Sequence, residues 1–368
     1  MSGLFDPYAL KSASLRNRIV VSPMCQYMAV DGVVNEWHAA HYATLARGGA
    51  GLVIVEATAV SPEGRITWGD LGLWNDEQAA ALRPVVASIK AAGAVPGIQI
   101  GHAGRKASAN RPWEGDDHIA LGQPNAWTTL APSAVALGGG LGRVPEAMTL
   151  ADIARVQQDT VATAIRARDL GFEWLELHMA HGYLAQNFFS PLSNHRDDSY
   201  GGSAENRARF LLETLVAVRK VWPEDRPLTV RLGVVEFNGP GAPENEPMLA
   251  EAIALLKRMK AEGLDLVDVS IGFNTLDAKI PWGPNFMAGV CQAVRRETGL
   301  PGTTSWYISQ PAEADALVRE DKVELVSLGR PLLANPHWPY AAAKALEVEN
   351  PAWATLPAPY AHWLARYR

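Results

Sequence analysis

Two cysteines stand among 368 residues, Cys25 and Cys291, and neither has a close partner in the sequence. A zinc ribbon or a cluster held by four cysteines is thereby excluded. Whether the two pair with each other is left open by spacing alone. Nowhere do about 18 apolar residues follow one another, so no stretch reads as a membrane-spanning helix. Basic runs are missing too, and the formal net charge is −6, the wrong sign for a nucleic-acid-binding face. The opening Met1-Ser-Gly-Leu-Phe-Asp-Pro-Tyr8 lacks the basic segment and apolar core of a secretory signal. A cytoplasmic protein is expected, with neither membrane nor nucleic acid as a partner.

What is present is an ordinary globular composition, 48% apolar and 20% charged, arranged in a repeating order. Short apolar runs read as strands: Ile19–Ser22, Leu52–Thr58, Val95–Ile100, Trp174–His178, Leu228–Leu232, Leu266–Ser270, Gly302–Trp306 and Glu324–Gly329. They are apolar almost throughout, as strands buried on both faces must be. Helical stretches alternate with them: Trp37–Arg47, Gln78–Ala92, Thr149–Leu170, Ser203–Val221, Met248–Glu262, Phe286–Glu297 and Pro311–Arg319, with another begun by Asn335-Pro336. Eight such units predict an α/β fold, a (β/α)8 barrel formed by one domain over residues 1–368. Residues 4–18 are expected to form a hairpin under the barrel. Ala103 to Met148 reads as a long loop after strand three, with lid character. Residues 238–247 read as a Gly/Pro-rich loop. The aromatic, proline-rich tail around Trp353–Trp363 is too apolar to hang free.

Chemistry-bearing residues collect at the strand ends, which a barrel brings to one face. They are Cys25, Gln99, His178, His181, Arg231 and Arg330. The densest stretch is Glu176-Leu-His-Met-Ala-His-Gly-Tyr183. Two histidines three apart would offer paired N–H donors to one developing oxyanion. They would equally serve a metal, with Glu56, Glu176, His38 or His102 as further ligands, or be structural. Tyr183 could give up a proton as a general acid, or simply pack at a helix start. Arg231 would face a negative charge on a cofactor ring or an internal carboxylate. Gly329-Arg330 fits the phosphate pocket of many barrels. A metal-dependent hydrolase and a non-catalytic scaffold therefore remain beside a redox enzyme.

Set together, Ser22-Pro-Met-Cys-Gln-Tyr27, Glu56-Ala-Thr58, Gln99 through Ala107, His178-Met-Ala-His-Gly-Tyr183, Tyr200-Gly-Gly-Ser203, Glu205-Asn-Arg207 and Gly329-Arg-Pro-Leu332 closely resemble the old yellow enzyme family of flavin-dependent ene-reductases. The cysteine-bearing first motif and Gly104-Arg-Lys-Ala107 resemble its bacterial, thermophilic-like subgroup. The resemblance implies non-covalent FMN, with NADPH or NADH as hydride donor. It implies that Pro23, Met24 and Cys25 lie along the flavin, that Ala57 and Gln99 meet its pyrimidine edge, and that Arg231 faces N1 and O2. Ser305, Trp306, Gly329 and Arg330 would hold the phosphate. His178 and His181 would bind the carbonyl oxygen of an activated alkene with help from Tyr27, and Tyr183 would supply the proton. Reduced nicotinamide would pass a hydride to flavin N5, and an α,β-unsaturated carbonyl compound would then receive it at its β-carbon. Nitro compounds are further acceptors in this family. The turn Ser305-Trp-Tyr-Ile-Ser-Gln-Pro311 lacks the glycine of many relatives, and Trp306 would narrow the substrate pocket. In the subgroup the tail can cross to a neighbouring subunit, so a homodimer or higher homo-oligomer is expected, with Trp363 lining the neighbour's site.

Overall fold

The computed structural model describes residues 3–237 and 245–367. The hairpin pairs β1 (Tyr8–Leu10) with β2 (Ala13–Leu15) in antiparallel register. The barrel strands are β3 (Ile19–Val21), β4 (Leu52–Ala59), β5 (Val95–Gly101), β8 (Trp174–Met179), β9 (Leu228–Val235), β10 (Leu266–Ile271), β11 (Gly302–Thr304) and β12 (Leu325–Leu328). They run in sequence order, and β12 pairs with β3 to close the ring. β6 (Leu130–Ala131) and β7 (Glu146–Ala147) form a separate pair inside the third loop.

Seven helices follow the barrel order: α1 (Glu36–Arg47), α2 (Asp76–Ala91), α3 (Leu150–Leu170), α5 (Ala204–Arg219), α6 (Asn245–Ala261), α7 (Ala288–Thr298) and α8 (Pro311–Arg319). α3 shows why the sequence marked its ends. Thr149 Oγ1 accepts from the Asp152 N–H and the Asp152 carboxylate accepts from the Thr149 N–H, a reciprocal cap. Gly171 ends the helix at φ +91°, a conformation that a Cβ disfavours.

Several expected boundaries move. α6 starts at Asn245, so Pro247 sits in its first turn, where a missing N–H costs no hydrogen bond. The rest of the expected 238–247 loop, residues 238–244, lies outside the described residues. β11 stops at Thr304, leaving Ser305 and Trp306 beyond the strand. Asn335 ends a short helix, α9 (Arg330–Ala334), instead of starting one, and α10 begins at Trp338 and runs to Ala345. A buried six-residue helix, α4 (Leu184–Phe189), follows β8 directly. The tail forms α11 (Pro351–Thr355) and α12 (Ala358–Leu364); Ala352, Ala361 and the intervening Leu356 pack together beside Tyr340 of α10.

The barrel interior is layered. At the strand starts Val20, Leu52, Ile54, Val95, Trp174, Leu266 and Leu325 pack against Ala13 and Leu15 of the hairpin. The lower end is thus plugged with hydrocarbon. Higher up, the interior turns polar. The register pairs Gln99 with Glu176, His178 with Arg231, and Arg231 with Asp268. Cross-strand partners share a face of the sheet, so these side chains converge beneath the open upper end.

Candidate active site

A cavity of about 820 Å³ opens at this upper end, walled by Pro23, Met24, His181, Arg231, Ser305–Ser309, Gly329 and Arg330 among others. Pro23 to Met28 form a run of half-buried residues along its edge. Arg231 reaches it from inside the barrel. Its Nη2 donates to Ser305 Oγ (2.7 Å), and its Nε lies 3.1 Å from Asp268 Oδ2 without an aligned hydrogen bond. A guanidinium this deep needs a charge partner, and Asp268 supplies one. Burial raises the Asp268 carboxyl to about 6, with Arg231 opposing the rise. Glu176, 1% exposed, accepts from Gln99 Nε2 at 2.8 Å. Burial, then the Asp268 charge, lifts its carboxyl to about 8.

The His178 and His181 rings stand 4.9 Å apart, nearly perpendicular, and the Tyr183 ring stands 4.9 Å from His178. Burial, reinforced by the charges of Arg231 and Lys106, holds both imidazoles well below the usual histidine range. They are therefore neutral, with one N–H each. The Ala180 N–H donates to His178 Nδ1 (3.3 Å), which places the His178 hydrogen on Nε2. His181 Nε2 lies 2.7 Å from Ser270 Oγ, which also accepts from Trp306 Nε1–H (3.2 Å). Ser270 keeps its own hydrogen available for His181 Nε2, and that arrangement would leave the His181 hydrogen on Nδ1. Burial raises the Tyr183 phenol well above its ordinary value, so it keeps its proton. His181 itself sits at φ +60°, a sparsely populated backbone region that clusters at functional sites.

Tyr183, His178 and Ala57 line a small neighbouring cavity with Thr58, Asp70 and His102. Burial, then Asp70 and Glu56, keeps the Cys25 thiol protonated, against a hydrogen bond from Tyr27. Both cysteines are free. Among the described residues no three His, Cys, Asp or Glu side chains gather into a metal-holding group. Glu56 instead accepts from the Gln26 N–H and Tyr42 hydroxyl, and His102 Nδ1 accepts from the Gly104 N–H.

The sequence pattern of the NADH:flavin oxidoreductase / NADH oxidase family matches residues 3–349. The chain belongs to this family. An NADPH dehydrogenase of Geobacillus sp. (strain WCH70) is 43% identical over 345 residues, 93% of this chain and 94% of that protein. The old yellow enzyme homologue from Zymomonas mobilis superposes with a TM-score of 0.77 at 26% identity, over 98% of this chain and 99% of the other. Morphinone reductase in complex with tetrahydroNAD gives 0.77 at 28% identity, over 98% and 93%. The chain is thus an old yellow enzyme-type oxidoreductase.

In this old yellow enzyme the turn after β11 does without glycine at a conformational cost. Trp306 and Tyr307 both take positive φ, +85° and +56°, so two aromatic residues adopt the shape that glycine adopts freely. Arg330 stacks over the Tyr307 ring at 5.4 Å. Trp363 is 70% exposed on α12 and does not border the cavity of its own chain. Sequence reasoning passed over three residues. Ser270 and Asp268 were read as ordinary strand, although polar residues at every second place in Leu266-Val-Asp-Val-Ser270 signal an inward face. Lys106 was read only within the run Gly104-Arg-Lys-Ala107, with no role of its own.

Proposed function

We propose that the protein is an FMN-dependent NADPH dehydrogenase of the ene-reductase kind, acting on the activated C=C bond of α,β-unsaturated carbonyl compounds. The observation that carries this reading is the packing of two neutral imidazoles and a protonated phenol ring to ring, with His181 on the wall of the large cavity and His178 and Tyr183 on that of the small one beside it. The residues present fit a flavin. The cavity lies within the size range of cofactor pockets. At Gly329 any added Cβ would meet Met24 Sδ at 3.3 Å. Pro23, Met24, Cys25, Ala57, Gln99 and Arg231 would hold the ring. Ser305, Trp306, Gly329 and Arg330 would hold the phosphate end. When bound, FMN supplies the two-electron chemistry that no side chain here supplies.

The protein's own part is binding, polarisation and proton supply. His178 Nε2–H and His181 Nδ1–H donate to the substrate's carbonyl oxygen, with Tyr27 beside them, and so draw electron density from the β-carbon. Tyr183 delivers its proton to the α-carbon. Arg231 meets negative charge at the inner end of the cavity, and its Ser305 bond fixes the guanidinium. The relatives' name favours NADPH as donor, with NADH as the alternative, and nitro xenobiotics are further acceptors. The first-strand motif, Gly104-Arg-Lys-Ala107 and the loop Trp113-Glu-Gly-Asp-Asp117 support placing the chain in the thermophilic-like subgroup, near xenobiotic reductase A. The exposed Trp363 supports a homodimer or larger assembly in which the tail lines a neighbour's cavity. No described helix is long and apolar enough to cross a membrane, in keeping with a cytoplasmic enzyme. The purified protein is expected to be yellow, to bleach anaerobically with NADPH, and to recover its colour on adding cyclohexenone. A colourless preparation that binds no FMN, or one that bleaches without recovering, would overturn the reading.

A further inference from the structure

Lys106 occupies an unusual place for a lysine. It closes the single helical turn Gly104–Lys106 in the third loop. Its Nζ donates to the carbonyl of His181 (2.6 Å) and to that of Phe273 (3.0 Å). No carboxylate lies within ion-pair distance of it among the described residues. Both carbonyl owners sit at positive φ, +60° and +53°. Three loops, those following β5, β8 and β10, therefore meet at one ammonium group. Gly182 makes the meeting possible, because a Cβ there would stand 2.8 Å from Lys106 Nζ.

We propose that Lys106 is the positioning residue of the oxygen-binding site. Its ammonium clamps the His181 and Phe273 carbonyls, fixes the backbone that aims the His181 ring at Ser270, and lends a fixed positive charge to an anion held by two neutral imidazoles. The proposal rests on the reading of His178 and His181 given above. Neutral donors orient an oxyanion, but they add no net charge. A buried cation behind them does, and a site sheltered from water screens it little. The same charge helps to keep both imidazoles unprotonated.

The test uses the FMN-loaded enzyme and two probes. 4-Hydroxybenzaldehyde ionises to a phenolate, whose oxygen resembles the charged oxygen of the transition state. 4-Methoxybenzaldehyde cannot ionise. Lys106→Gln keeps a donor for the carbonyls without the charge, and Lys106→Arg keeps the charge. At pH 7 Lys106→Gln is expected to bind the phenolate about tenfold more weakly, the order of effect of one neighbouring charge. The methoxy probe should be little changed, and Lys106→Arg should restore phenolate binding. Retained phenolate affinity in Lys106→Gln overturns the proposal. So does equal weakening of both probes, which marks a collapsed pocket. His178→Ala separates the two readings: phenolate binding unaffected there sinks the underlying site assignment.

Wild-type enzyme offers a check that needs no variant. Burial, then Arg105, lowers the Lys106 amine to about 8, against Glu236 and Asp116. The other titratable groups facing it are His178, His181 and Tyr183, all held in their neutral forms. With affinity referred to the phenolate form alone, because the probe's own phenol ionises in the same range, the preference over the methoxy probe should fade as pH rises past about 8. A preference that stays flat through that range also overturns the proposal.

Discussion

At the scale of single residues, the site separates two jobs that one histidine pair could not do alone. On the function proposed, imidazoles at neutral charge orient and polarise, while Tyr183 stores the proton. Tyr183→Phe is accordingly expected to slow alkene reduction by about 10²–10⁴-fold, the usual contribution of a positioned acid. Turnover with a quinone acceptor, which needs no protonation at carbon, should stay near wild type. Stopped-flow measurement of both acceptors gives the split, and equal losses would argue against the acid role. His178, His181 and Tyr183 were legible in the sequence because polar groups broke an apolar run at its end. Ser270 and Lys106 were not. Ser270 meets the His181 ring across 89 residues of chain. Lys106 bonds two backbone carbonyls 75 and 167 residues distant, and no local pattern encodes that.

At the scale of elements, the eight strands could be read because burial on both faces forces an apolar run. Helix ends carrying an explicit chemical signal were equally legible, and Thr149 with Gly171 on α3 is the clearest case. Thr149→Ala should cost about 1 kcal/mol through loss of the cap. Urea unfolding would show it, with the flavin spectrum unchanged because α3 lies outside the cavity. α4 was missed for a physical reason. All six of its residues are buried, Gln186 and Asn187 included, so it has no solvent-facing side and, at under two turns, no helical period to detect. The turn after β11 was read as a turn, but its backbone shape was not. Its left-handed Trp306 and Tyr307 are held by packing against Trp282, Phe286 and His181, which overrides local preference.

At the scale of the whole molecule, buried titratable groups set the pH range of stability. Burial raises the Glu56 and Glu176 carboxyls to about 8. The folded chain therefore keeps protons that the unfolded chain releases near 4.5. Stability contributed by these groups falls as pH rises from there to about 8. Burial lowers His38, His41 and His102 to about 4, so below the ordinary value of 6.5 the unfolded chain takes up protons that the folded one refuses. That contribution is lost as pH falls. The thermal midpoint should peak at roughly pH 6–7 and decline on both sides. Glu56→Gln should flatten the alkaline side in calorimetric scans. The barrel and its floor follow from the sequence, since the apolar strand starts and the hairpin both read plainly. That floor decides how reactants travel. A tube closed by a stopper becomes a cup with a single rim. On the function proposed, nicotinamide and alkene arrive and depart over the same rim, and an excess of either crowds out the other.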